Sequence, residues 1–191
     1  MHSISITDGI NYPAGLAVDS ALTLYVSNVK GVANISEYAA GATSPSRVIS
    51  GQGLTAPWGL TLDAKQNLYV ADYVTDQIFK IPKGTSNVNP LNLQGLKKPI
   101  DVAFDSSGNL WVADLKGFVN VYPPGATSPS ETLSEGYTEP FAISEDAAGT
   151  VVVANWHDPD ALYEYAPDQF SPEATLTKNI KISTGVLLKK P

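Results

Sequence analysis

The chain has no cysteine and only one methionine. Without thiols, disulfide staples and thiolate metal sites are excluded, although the compartment is not thereby fixed. Charge is sparse, at 16% Asp, Glu, Lys and Arg, and basic charge is sparser still: 12 Lys and Arg against 19 Asp and Glu, a net −7. The only basic doublets are Lys97-Lys98 and Lys189-Lys190. A chain that grips phosphate backbones or anionic lipid clusters its Lys and Arg, so neither nucleic acid nor membrane is expected as a partner. No apolar run is long enough to span a bilayer. The first 20 residues lack a basic start and an apolar stretch, so no signal peptide is expected in them. A long 3.6-residue apolar period is also missing, and helix is expected to be minor.

What the chain has in plenty is glycine and proline, 15 and 14, recurring at regular spacing among 43% apolar residues. Four segments align without a gap: YPAGLAVDSALTLYVSN (12–28), APWGLTLDAKQNLYVAD (56–72), KPIDVAFDSSGNLWVAD (98–114) and EPFAISEDAAGTVVVAN (139–155). Their prolines fall at 13, 57, 99 and 140. A second match, GATSPS, occurs at 41–46 and again at 125–130, two periods apart. Two independent registers thus give the same repeat of about 42 residues.

Each column has a physical reading. The proline opens a strand, where no ladder N–H is needed. Leu16, Leu60, Val102 and Ile143 alternate with Ala17, Thr61, Ala103 and Ser144, the period-2 pattern of a strand with two packed faces. Asp19, Asp63, Asp105 and Asp146 each open a polar turn, since an Asp carboxylate bonds the N–H two residues on. A second strand follows in LYV, LYV, LWV and VVV and ends in Asn28, Asp72, Asp114 or Asn155. Third strands are expected at 32–39, 77–82, 118–123 and 161–166, and weaker fourth strands at 47–50, 91–94, 131–134 and 174–177. Four short strands per repeat make the blade of a β-propeller. The expectation is therefore an all-β, single-domain β-propeller over 1–191, with four-stranded antiparallel blades at about 12–50, 56–94, 98–134 and 139–177. Partial strands are expected at 3–7 and 180–188. A six-bladed ring would need about 250 residues at this period, so the ring is expected to be incomplete, with open blade faces available for self-association.

The pattern P-x-G-L-A-V-D followed by L-Y-V-A-D resembles the NHL repeat and the related blades of six-bladed SMP-30 (gluconolactonase-like) and virginiamycin B lyase propellers. The resemblance implies a binding or scaffold module, extracellular or periplasmic in many relatives. The alternative it implies is a metal-dependent lactonase-like hydrolase or a lyase. In such propellers the loops entering strand one and leaving strand two form a rim around a channel, and loops on a rigid scaffold carry function.

Several side chains on those segments stand out. Asp101 occupies a column otherwise filled by Gly15, Gly59 and Ala142. Its Pro-x-Asp setting resembles a metal-ligating segment of gluconolactonases, so it is either a solvated or turn-bonded residue or a ligand for a divalent cation such as Ca2+. One carboxylate does not make a site for a cation that takes six to eight oxygens; otherwise no cofactor is expected. Glu145 breaks an apolar column and either faces an exposed edge or pairs with a neighbour. His157, with Asp158 and Asp160, is either a polar turn or an acid–base group; in the enzymatic alternative Asp101 and His157 are the catalytic residues. Tyr12, Trp58, Tyr73, Phe141 and Trp156 either pack between blades or form a rim that stacks on a small molecule, a carbohydrate or a protein partner.

Overall fold

The computed structural model describes residues 5–157 and 160–177. They contain sixteen β-strands and no helix. The strands form four antiparallel four-stranded sheets, each in simple sequence order: β1(Pro13–Val18)-β2(Leu24–Asn28)-β3(Asn34–Tyr38)-β4(Arg47–Ser50), then β5(Pro57–Leu62)-β6(Leu68–Asp72)-β7(Gln77–Ile81)-β8(Asn89–Pro90). The third is β9(Pro99–Phe104)-β10(Leu110–Asp114)-β11(Phe118–Tyr122)-β12(Glu131–Leu133), the fourth β13(Pro140–Glu145)-β14(Val151–Asn155)-β15(Ala161–Tyr165)-β16(Ala174–Leu176). The chain is an all-β protein built of β-propeller blades. It divides into two compact units, Met1–Pro90 with the first two sheets and Leu91–Pro191 with the other two.

The turn joining strands one and two shows why the Asp column exists. One carboxylate oxygen of Asp19 accepts the N–H groups of Ala21 and Thr23 at 2.9 and 2.8 Å. Asp63 holds Lys65 and Asn67 the same way, Asp105 holds Ser107 and Asn109, and Asp146 holds Ala148 and Thr150. In the third sheet the other oxygen is used too: Asp105 accepts the Trp111 indole N–H at 2.8 Å, anchoring a ring that is only 2% exposed.

The polar residue ending strand two is a second recurrent fastening. Asn28, Asp72, Asp114 and Asn155 are all fully buried. Asp72 accepts the N–H groups of Thr55 and Ala56, Asp114 those of Lys97 and Lys98, and Asn155 those of Thr138 and Glu139. Asn28 accepts that of Asn11. Each clamps the segment that leads into strand one of its own sheet, satisfying N–H groups that burial would otherwise leave unpaired.

Within the first unit the two sheets pack face to face. Tyr25, Ile35 and Ile49 of the first sheet meet Leu60, Leu68, Val70, Phe79 and Ile81 of the second, with Leu54 and Val88 closing the cluster. The inner strands come closer than side chains allow. A Cβ on Gly15 would lie 2.2 Å from the Trp58 carbonyl oxygen. The Ser27 hydroxyl bridges that gap, donating to Trp58 O at 2.6 Å and accepting from Gly15 N at 2.7 Å. In the second unit Trp111 packs against Tyr165, ring centroids 5.2 Å apart, and Tyr165 is itself joined through its hydroxyl to Tyr137.

Two expected strands differ. The fourth strand of the second sheet is Asn89–Pro90 rather than 91–94. Asn92 adopts a left-handed φ of 54°, which interrupts an extended run, and the Gln94 N–H goes to the Thr127 carbonyl. Residues 5–7 form no strand: Thr7 O accepts the Ile10 N–H in a turn, and Asp8 O accepts the Tyr38 hydroxyl. Gln94 O and Tyr122 repeat the second contact, so residues 8–9 act as a lead-in to strand one. Residues 3–4 of the first partial strand, and all of 180–188, lie outside the described residues.

Candidate functional site

The fourth sheet brings three of the expected rim residues together where β13 begins and β14 ends. Phe141 lies on β13, and Trp156 and His157 follow directly on β14. The Phe141 and Trp156 rings meet edge to face with centroids 5.5 Å apart. His157 stacks on Trp156 at 4.4 Å, the planes 20° apart. Trp156 is 42% exposed, so an indole of this size is left open to solvent at the edge of the group. Glu139 places a carboxylate oxygen 3.8 Å from His157 Nε2.

The loop carrying these rings is tied down from three sides. Asn155 Oδ1 accepts the Thr138 and Glu139 N–H groups, while its Nδ2 donates to the His157 carbonyl at 3.1 Å. The Thr138 hydroxyl also donates to that carbonyl, and the His157 N–H donates to Asp160 Oδ1 at 3.2 Å. The Trp156 N–H reaches Glu139 O at 2.8 Å. These bonds hold His157 at φ 67°, a left-handed backbone that a residue with a Cβ adopts only at a cost. Asn rather than Asp at 155 has a direct reason here: a carboxylate clamps the lead-in equally well, as Asp72 and Asp114 do, but cannot donate to a carbonyl.

Asp101 stands elsewhere in the same unit, half-buried on β9. Its two oxygens accept the N–H groups of Val102 and Ile143, each at 2.9 Å. It is thus neither free in solvent nor part of a turn, but a tie from β9 to β13 of the next sheet. Burial pushes its carboxyl up to about 7, and the two N–H donors only partly offset this. Its oxygens are committed to backbone donors, and its column neighbour on β13 is Ala142. Among the described residues no group of three or more His, Asp or Glu side chains comes together in a way that could hold a metal ion. The residues around Asp101 therefore do not fit a Ca2+ site.

The remaining expected rim residues belong to the other unit. Tyr12 is exposed, with Lys30 Nζ 6.0 Å from its ring centroid. Trp58 is half-buried on β5, and its carbonyl receives Ser27. Tyr73 donates its N–H to Ala56 O. In the second unit Glu145 is half-buried at the end of β13, opposite Val151. Asp158 lies outside the described residues. Thr138, Glu139 and Asn155, on the same rim segments, shape the aromatic group, and nothing in their residue type alone announces it. For Asn155 the signal is the alternation of Asn and Asp at the end of strand two.

No protein-family model matches the chain, and no curated protein does. Among solved structures it is similar to the hydrazine synthase of Kuenenia stuttgartiensis, with 12% sequence identity and a TM-score of 0.72 over 92% of this chain and 51% of that one. The chain thus spans about half the length of that structure, and at this identity the likeness is one of fold.

Proposed function

We propose that this chain is a non-catalytic β-propeller binding module, of the kind its NHL-like repeats suggest. Its ligand site is the Phe141–Trp156–His157 group of the fourth sheet, and its ligand is a carbohydrate or another small molecule with a flat apolar face. The observation that carries this reading is the partly exposed Trp156, braced by Phe141 and His157 and flanked by Glu139. An aromatic plane gathers the C–H face of a sugar, and adjacent carboxylates accept from its hydroxyls. The loop is already fastened by Asn155, Thr138 and Asp160, so little ordering entropy is lost on binding.

The test is a titration with a panel of neutral oligosaccharides, read by intrinsic tryptophan fluorescence and by calorimetry. Trp111 is deeply buried, so Trp156 contributes most of any solvent-sensitive change in the second unit. Binding that quenches the wild type and weakens at least tenfold in Trp156→Ala, with the unfolding midpoint preserved, supports the reading. Binding unchanged by Trp156→Ala overturns the site.

A lactonase-like or lyase activity is the second reading: burial raises the Asp101 carboxyl to about 7, a range in which a general base works, although its oxygens already tie Val102 and Ile143. A measured turnover that Asp101→Ala abolishes while the unfolding midpoint is preserved would favour it over the first.

A further inference from the structure

The packing inside the first unit has two complementary halves. One is the face of the first sheet that carries Ala17, Tyr25, Ile35 and Ile49; the other is the face of the second sheet that carries Leu60, Leu62, Leu68 and Val70. Strand registers place each half in every repeat. Leu16 and Val18 of the first sheet, opposite Val26 and Leu24, take the positions that Leu60 and Leu62 take opposite Val70 and Leu68. Leu60 is 7% exposed beneath its neighbour, whereas Leu16 is 65% and Val18 56% exposed. Ala142 and Ser144 of the fourth sheet, with Ala154, Leu162 and Leu176 on the same face, correspond to Gly15 and Ala17 with Ser27, Ile35 and Ile49 of the first. Ile35 and Ile49 are buried at 0% and 1%, but Leu162 is only half-buried and Leu176 is 46% exposed.

We infer that two copies of this chain associate head to tail, the Leu162/Leu176 face of the fourth sheet in one copy docking on the Leu16/Val18 face of the first sheet in another. The contact continues an interface the molecule already builds between its first two sheets, with Leu162 and Leu176 where the first sheet has Ile35 and Ile49 and with Val152 where it has Tyr25. Removing four partly exposed aliphatic side chains from water supplies the drive. Because the two faces differ, the contact is heterologous: it closes into a ring when the rotation allows and otherwise propagates.

Sedimentation velocity and light scattering on the full 191-residue chain test this. The wild type is expected to show at least twice the 20.2 kDa monomer mass, increasing with concentration. Leu16→Glu and Leu176→Glu are each expected to return it to monomer, with unfolding midpoints close to wild type because both side chains are exposed. Should Leu16→Glu unfold, Val18→Lys serves in its place. The two variants mixed in equal amounts retain one intact face each and are expected to form a discrete dimer, which a contact between like faces could not produce. A wild type that stays monomeric at every concentration, a Leu176→Glu variant that still assembles, or a mixture that stays monomeric would each overturn the inference.

Discussion

Asp101 shows how one side chain changes role within an otherwise constant column. Where Gly15 lets two inner strands approach until a Cβ would meet the Trp58 carbonyl at 2.2 Å, Asp101 spans the corresponding join with its carboxylate and takes the Ile143 N–H. The sequence showed that the position was unusual but not what it was for, because its partner lies 42 residues away in the next sheet. Its titration has a definite sign. The folded chain keeps the Asp101 proton up to about pH 7, whereas an unfolded Asp loses it near pH 4. Between those values the native state holds more protons than the unfolded one, so this group's contribution to stability falls as pH rises and levels off above neutrality. From pH 5 to pH 8, wild type is expected to lose on the order of 2 kcal/mol relative to Asp101→Ala. Denaturant unfolding of both proteins at several pH values measures this. A gap that does not change with pH would mean that the carboxyl is ionised throughout.

At the scale of the element, most of the blade was legible. Proline, alternating apolar residues, the turn Asp and the second strand all fell where the columns put them, because the same pairing recurs in every sheet. Among the fourth strands, 47–50 is as expected and 131–133 and 174–176 fall within the expected ranges, but in the second sheet Asn92 ended the run and the strand is Asn89–Pro90. The aromatic site was half legible. Phe141, Trp156 and His157 stand out from the sequence, but their stacking depends on the buried Asn155 clamp, whose partners lie 16 and 17 residues back. The first turn of each blade also hides a conflict. Its left-handed position is glycine in two sheets, Gly108 at φ 80° and Gly149 at φ 87°, but Leu22 at φ 63° and Gln66 at φ 62° in the others. Leu22 is 68% exposed, so its side chain contributes little packing to offset a left-handed backbone. Leu22→Gly is therefore expected to stabilise by several tenths of a kcal/mol, roughly the strain relieved less the glycine entropy. Gly149→Ala is expected to destabilise, since a Cβ there would also lie 2.7 Å from Ser106 Oγ. Thermal unfolding of the two variants decides; a loss of midpoint in Leu22→Gly would show that the side chain packs in a way exposure does not reveal.

At the scale of the whole molecule, charge and apolar surface act against each other. Every copy carries a net −7, so two copies repel as they approach. The side chains proposed to join them, Leu16, Val18, Leu162 and Leu176, are aliphatic and carry no charge for salt to screen. Half-buried Glu164 on β15, which shares the docking face with Leu162 and Leu176, adds to the repulsion. Salt shortens the screening length from about 30 Å at 0.01 M to about 8 Å at 0.15 M, leaving the apolar attraction intact while the repulsion fades. Head-to-tail association is therefore expected to tighten with ionic strength, opposite to the behaviour of an interface held by salt bridges. Lowering the pH toward the pI of about 4.7 is expected to act in the same direction. Sedimentation in a series from low salt to 0.5 M sodium chloride gives the reading: the assembled fraction of wild type increases along the series while Leu16→Glu remains a monomer. A fraction that falls with salt would place the contact among the charged side chains and away from Leu16 and Leu176.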